Sequence, residues 1–323
     1  PMASPVDTTV KFYREDFPGA PTLNGTAGAL IGLLEACLCT GFGLRSATSL
    51  VVAGGVATLT LASDAKNSNL LNSVILVEGV TGALTALNGE QRVTAASSTT
   101  LSFATAAADG TAAGSVTVKT APAGWEKKFS GTNKAVFKSL SPEANTSYLW
   151  VNDTGTTSAN VRAYEAMTDV DTGTGAAPTV ADSATGGFWV KSSAANATAN
   201  RWDLFADARA FYYLPAPSSG AAPTQIGQAC YFFGDIVAFK SGDVFSTALF
   251  APSFAGAAPG NGGVFYGGQN SAVSRFLRSY TALGSAVSGF TSPVCGANNA
   301  FSGTDGFLGI FPTPTDGGMR VSE

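Results

Sequence analysis

Ala57-Thr-Leu-Thr-Leu-Ala62 and Ser115-Val-Thr-Val-Lys119 alternate apolar and polar residues with a period of two. That period sends successive side chains to opposite faces of an extended strand, one toward a core and one toward water. Both runs lie in a stretch, 46–120, where short β-rich segments at 50–53, 57–62, 74–77, 92–95, 100–104 and 115–119 alternate with Gly, Ser and Asn turns. Short strands at this spacing predict a small sandwich or barrel. Charges are sparse across it, so it reads as a self-contained unit inserted into a larger protein.

Outward from this unit the texture changes in both directions. Toward the N-terminus, Thr9 to Tyr13 reads as a short strand, and Pro18-Gly-Ala-Pro21 as a turn or extended linker. The segment that follows places Leu30, Leu33, Leu34, Cys37 and Leu38 at helical spacing. Asn24 or Thr26 is the expected cap and Gly41 or Gly43 the expected stop. Toward the C-terminus, strand-like runs are rich in aromatics, at 135–138, 148–151, 161–164, 188–191, 202–205, 210–214, 231–233 and 236–239. Beyond residue 254 the chain is rich in Gly and Pro, with strand-like pieces at 275–280 and 307–311. The expectation is a mainly β protein: a strand–helix segment over 1–45 packing on the main body, an inserted small β-sandwich or barrel domain over 46–120, and a larger antiparallel β-sandwich-like body over 121–323. No 20–50-residue repeat and no heptad run suggests a solenoid, propeller or coiled-coil shaft.

Composition restricts the chemistry. The 323 residues include no histidine, 38 glycines and only 12% charged residues, against about a quarter in ordinary domains. Lacking imidazole, the chain cannot build a Ser–His–Asp or Cys–His nucleophile, nor a zincin site. It holds no Walker A loop, and no dinucleotide-binding glycine fingerprint between a strand and a helix. Net charge is −4, and the 18 Lys and Arg are scattered, which argues against nucleic-acid binding. The most apolar run, from Ala29 to Cys39, is too short to span a bilayer and contains Glu35. Pro1 to Phe17 has no apolar run of the secretory-leader kind.

Weaker constellations remain. Asp169-Val-Asp171-Thr-Gly173-Thr-Gly175 opens like a calcium loop, but Val180 stands where the twelfth-position Glu belongs, so a polar turn between two strands is expected. Asp203, Asp207, Asp235 and Asp243 are the carboxylates from which a glycosidase pair would have to come. Gly234-Asp235 and Gly242-Asp243 read instead as turn dipeptides. Cys37, Cys39, Cys230 and Cys295 read as small buried thiols, with a Cys230–Cys295 bridge left open by the spacing. Asn145, Asn152 and Asn196 begin glycosylation-type triplets, read as chance without a secretion signal. Trp125, Trp150, Trp189, Trp202, Tyr212 and Tyr213 are the candidate interface aromatics; in strands such residues serve as core or interface anchors more often than as sugar platforms. No catalytic, cofactor or metal-binding residue is assigned.

Four segments carry a family resemblance. They are Ser4-Pro-Val-Asp-Thr-Thr-Val-Lys-Phe12, Gly19-Ala-Pro-Thr-Leu-Asn-Gly-Thr-Ala-Gly-Ala-Leu30, Ala121-Pro-Ala-Gly-Trp-Glu-Lys-Lys-Phe129 with its continuation to Phe137, and Val151-Asn-Asp-Thr-Gly155 with its continuation to Gly175. Together they resemble virion proteins of tailed bacteriophages, over roughly residues 4–245. Val80-Thr-Gly-Ala-Leu-Thr-Ala-Leu-Asn-Gly89, running on to Ala95, is similar to a small β module of phage tail proteins, although 64–72 is more polar than usual there. The resemblance implies a non-enzymatic structural component of the virion, assembled in the host cytoplasm. A tail location (tip, baseplate or fibre attachment) is expected first and capsid decoration second. Copies of itself and other virion proteins are the expected partners. A receptor- or glycan-binding tail module is the alternative reading, with a host-surface glycan as partner. No cofactor, nucleic acid or membrane insertion is expected.

Overall fold

The computed structural model describes residues 4–217, 231–235, 247–251, 274–277 and 287–289. Over the described residues the fold is mainly β, with a closed six-stranded barrel, several antiparallel sheets and one short α-helix. The chain divides into two units. The first comprises 1–21, 35–123 and 203–207; the second comprises 22–34, 124–202 and 208–323.

The first unit contains β1 (Lys11–Arg14), β2 (Phe42–Ala53), β3 (Val56–Leu61), β4 (Val74–Glu78), β5 (Gly89–Ala96), β6 (Thr100–Ala104), β7 (Gly110–Thr111) and β8 (Thr117–Thr120). Six of these pair in the order β3-β6-β5-β4-β8-β2, and β2 returns to pair with β3, which closes the barrel. Closure depends on the length of β2. Its first half pairs with β8, through Phe42↔Thr120 and Arg45↔Val118; its second half pairs with β3, from Ala47↔Leu61 to Ala53↔Val56. Register irregularities interrupt both ladders, and such irregularities let a strand bend enough to serve two neighbours.

The alternation seen in the sequence is the alternation of this barrel. Leu59 and Leu61 of β3, Leu101 and Phe103 of β6, Val93 of β5 and Val118 of β8 point inward and are buried. Their neighbours Thr58 and Ser102 lie on the other face, with hydroxyls 3.0 Å apart. Side chains fill the interior, as expected of a barrel this small. Two 3-10 turns that the sequence did not reveal add buried Leu70, from Ala65–Leu70, and Leu84 and Leu87, from Gly82–Leu87. After the second turn Asn88 closes the loop: its carbonyl accepts from Val80 N at 2.9 Å and its amide donates to Val80 O at 2.8 Å. At Gly79 the backbone turns left-handed (φ +81°), and a Cβ there would stand 2.2 Å from Ser115 O, so only glycine fits.

The second unit holds α1 (Ala29–Leu34), β9 (Trp125–Gly131), β10 (Lys134–Ser139), β11 (Tyr148–Asn152), β12 (Ser158–Tyr164), β13 (Ala166–Met167), β14 (Gly173–Thr174) and β15 (Gly187–Val190). β16 (Arg201–Ala206) begins here but its residues 203–206 fall in the first unit, where they pair antiparallel with β1. Then come β17 (Ala210–Ala216), β18 (Tyr231–Asp235), β19 (Thr247–Phe250), β20 (Ser274–Phe276) and β21 (Val287–Gly289). One antiparallel sheet runs β15-β12-β11-β10-β9, and another runs β17-β18-β19-β20-β21. Aromatic side chains join the two sheets. Trp189 of β15 packs on Phe211 and Tyr213 of β17 and stacks on Tyr231 of β18, with centroids 5.6–5.9 Å apart. Trp125 of β9 packs edge-on to Phe211 and tilts over Phe233. This is a sandwich held by interlocked rings, each with a large apolar area to bury.

The helix differs from the sequence expectation. Residues 24–28 are not helical: Asn24 Oδ1 accepts from both the amide and the hydroxyl of Thr26, making a side-chain turn. The α-helix spans only Ala29–Leu34, and wider π-helical turns continue over Glu35–Thr40 to Gly41, whose φ is +71°. β9 was also hidden, because Glu126, Lys127 and Lys128 interrupt its apolar pattern. The expected strands at 236–239 and 307–311, the end of the one at 275–280, and Cys230, Asp243 and Cys295 lie outside the described residues.

Phe103 is wholly buried in the barrel. Phe103→Ala is expected to destabilise the first unit by roughly 3–5 kcal/mol, read as a lower urea midpoint with an unchanged denaturant slope.

Candidate functional site

The six candidate aromatics occupy two kinds of place. Trp125, Trp189, Trp202 and Tyr213 are buried, at 2% exposure or less, and so present no face to a sugar or a partner. Trp150 and Tyr212 are half-buried. The polar ends of Trp189, Tyr213 and the neighbouring Tyr231 are satisfied within the second unit. Trp189 Nε1 donates to Phe250 O at 2.9 Å, Tyr213 OH donates to Val190 O at 3.2 Å, and Tyr231 OH accepts from Val190 N at 3.0 Å.

Two of the carboxylates, Asp235 and Asp169, hold backbone in place. Asp235 accepts from Asn145 N at 2.7 Å and from Thr247 Oγ1 at 2.9 Å, and its side chain lies 3.5 Å from the Arg209 guanidinium. Asp203, on the first unit, stands opposite Arg14 in the β1–β16 ladder. The calcium-like segment is the turn between β13 and β14. Asp169 Oδ1 accepts from Asp171 N at 2.7 Å, which with the neighbouring Thr172 holds its carboxyl below the usual range. Asp171 is paired with Lys134 at 2.6 Å. Among the described residues no three carboxylates or thiols converge on a point where a metal ion could sit. No helix among them is long and apolar enough to cross a membrane. Cys37 is fully buried, and that burial pushes its thiol well up; Cys39 is half-buried.

The most concentrated chemistry lies at two residues that carry little local signal in the sequence. Asp153 follows β11 and Lys191 follows β15, and both side chains are completely buried in contact with each other through Oδ1 and Nζ. Lys191 Nζ also donates to Thr26 O at 2.6 Å. The other carboxylate oxygen, Oδ2, accepts from the amides of Leu30 at 2.7 Å and Ile31 at 3.2 Å. Asp153 thus caps α1 from a distant part of the chain and supplies partners for two amides that a helix start leaves open. The surrounding backbone is tied into the same node. Gly28 N donates to Asp153 O, Asp153 N to Asn133 O, Lys191 N to Thr157 O, and Asn200 Nδ2 to Lys191 O, all at 2.8–2.9 Å. Burial pushes the Asp153 carboxyl up against the opposing pull of Lys191 and the two amides, and it pushes the Lys191 ammonium down. The sequence signal for this node was slight: a single charge closing each of two apolar strands, with Asp153 lying inside the triplet Asn152-Asp-Thr154 read as a chance glycosylation pattern.

Apolar side chains also reach the surface. On the first unit Phe12 and Phe205 stack across the β1–β16 ladder with centroids 6.4 Å apart, Phe205 being 43% exposed, and Val10 precedes them. Leu140 and Val180 stand out on the second unit. No family model, characterised protein or solved structure matches the sequence.

Removing one member of the buried pair strands the other in an apolar surround. Asp153→Ala also uncaps α1, and it is expected to lower the stability of the second unit by roughly 3–5 kcal/mol, measured by chemical denaturation followed by tryptophan fluorescence.

Proposed function

We propose that this chain is a non-enzymatic structural subunit of a tailed-phage virion. Its place is with the tail (tip, baseplate or fibre attachment), and it acts through contacts with copies of itself and with neighbouring virion proteins. The observation that carries the reading is compositional: no histidine and 12% charged residues in a 323-residue chain. A free protein relies on surface charge to resist association, whereas a subunit covered by its neighbours needs little. The four segments that resemble tailed-phage virion proteins point to the particle.

The disposition of polar groups supports the same reading. Asp235 and Asp153 spend their oxygens on backbone amides, a hydroxyl and cationic side chains, as scaffold residues do. The outward Phe12–Phe205 pair is a suitable anchor for a neighbouring subunit, because aromatic rings are over-represented at the centres of protein interfaces.

Proteomics and imaging of purified particles test the proposal. The chain is expected in washed virions, with its density on the tail; density on the head would make it a decoration protein, and absence from the particle would end the reading. Phe205→Ser is expected to leave the folded chain intact while lowering its copy number per particle several-fold, measured by quantitative mass spectrometry. Cleavage of host-surface polysaccharide by the purified protein, lost on substitution of Asp203, Asp207 or Asp235, would replace the structural role by an enzymatic one.

A further inference from the structure

An ammonium group has three N–H donors. Among the described residues Lys191 Nζ has two partners, Thr26 O and Asp153 Oδ1, and the side chain is completely buried. As an ion pair the node therefore leaves one charged donor without an acceptor among the described residues, on a side chain with no solvent exposure, a costly arrangement. A secondary amide in the same position has one N–H and one carbonyl. Its N–H would meet Thr26 O, and its oxygen would meet the amides of Leu30 and Ile31, so every polar group finds a partner already in place.

We propose that Asp153 and Lys191 are joined by an intramolecular isopeptide bond, formed by condensation of the Lys191 amine with the Asp153 side-chain carboxyl and release of one water. The proton of the ammonium first passes to Oδ1 along the contact between them, giving a neutral amine and a carboxylic acid. The nitrogen lone pair then attacks Cγ. As the C–N bond forms, the carbonyl electron pair moves onto Oδ2, where the Leu30 and Ile31 amides receive the negative charge. Finally the C–Oδ1 bond breaks, and Oδ1 takes a second proton from the nitrogen and leaves as water. Carboxylate and ammonium become amide and water, and no oxidant or co-reactant is consumed.

Three features of the node favour this step. Both reactants are pinned by backbone hydrogen bonds on either side, so the encounter is prepaid in entropy. Burial moves both groups toward the neutral forms that the reaction uses. Bulk water has no access to two wholly buried side chains, so the finished amide is protected from hydrolysis. The bond would close the loop from residue 153 to residue 191 and restrict the unfolded chain as a disulfide does.

The test is the mass of the full purified chain under denaturing conditions, followed by tryptic mapping. The expected result is a chain lighter than its sequence by one water, with a branched peptide containing both Asp153 and Lys191. Lys191→Arg and Asp153→Ala are expected at their full sequence masses, without the branched peptide. A wild-type chain at full sequence mass overturns the proposal, and so does a water loss that maps to another residue. The wild-type spectrum decides alone, so a variant that fails to fold leaves the test intact. The measurement is made on the isolated chain, and its outcome is independent of any role in a virion.

Discussion

Asp153 meeting Lys191 inside the second unit is the contact on which the local architecture turns. Three separate stretches end on these two side chains. The chain entering α1 delivers Thr26 O and the Leu30 and Ile31 amides; the end of β11 delivers the carboxylate; the end of β15 delivers the amine. Polar groups taken out of water must find partners, and here each stretch brings one that another lacks. The geometry of the node is therefore dictated by the pairing of buried polar groups, and the strands that carry it inherit that position. Two residues before Lys191, Trp189 enters the ring cluster that joins the two sheets, so the polar node and the apolar core are fastened to the same strand.

The barrel of the first unit obeys a different constraint, which is geometric. A six-stranded sheet closes only when its two edge strands pair with each other, and β2 is long enough to hold β8 along its first half and the opposite edge strand β3 along its second. Its irregular register is a requirement of closure, since a straight ladder would carry its second half away from β3. The short β7 adds to β2 through Val51↔Thr111 and Val52↔Gly110.

What could be read from sequence follows the range of the interaction that decides each element. Ala57 to Leu61 and Thr100 to Ala104 alternate so plainly that strand, face and barrel-like surroundings are all legible, because a period of two is written in adjacent residues. The first half of β2 is not: Gly43, Arg45, Ser46 and Thr48 dilute the pattern, and the strand exists because β8 lies alongside it. The helix shows the same limit. Its apolar spacing is local and visible, but its cap is a carboxylate more than a hundred residues away, and the start anticipated at Asn24 is occupied by a side-chain turn. Asp153 and Lys191 are the extreme case, each unremarkable in its own neighbourhood and meaningful only when the fold brings them together. The buried aromatics lie between these cases, their types suggesting anchors and only the packing of the two sheets showing what they anchor.

The pairing of residues 203–206 with β1 places a late piece of chain inside an early unit. During synthesis the barrel strands from Phe42 to Thr120 emerge as one block and can find each other. The strand beginning at Lys11 must wait until synthesis has run well past Asp203, deep into the second unit, before its ladder partner leaves the ribosome. Until then its backbone donors and acceptors on that side face solvent or any chaperone that binds extended chain. Maturation of this protein is thus timed by its own connectivity, and a polypeptide stopped short of Asp203 would carry a sound barrel with an unfinished N-terminus.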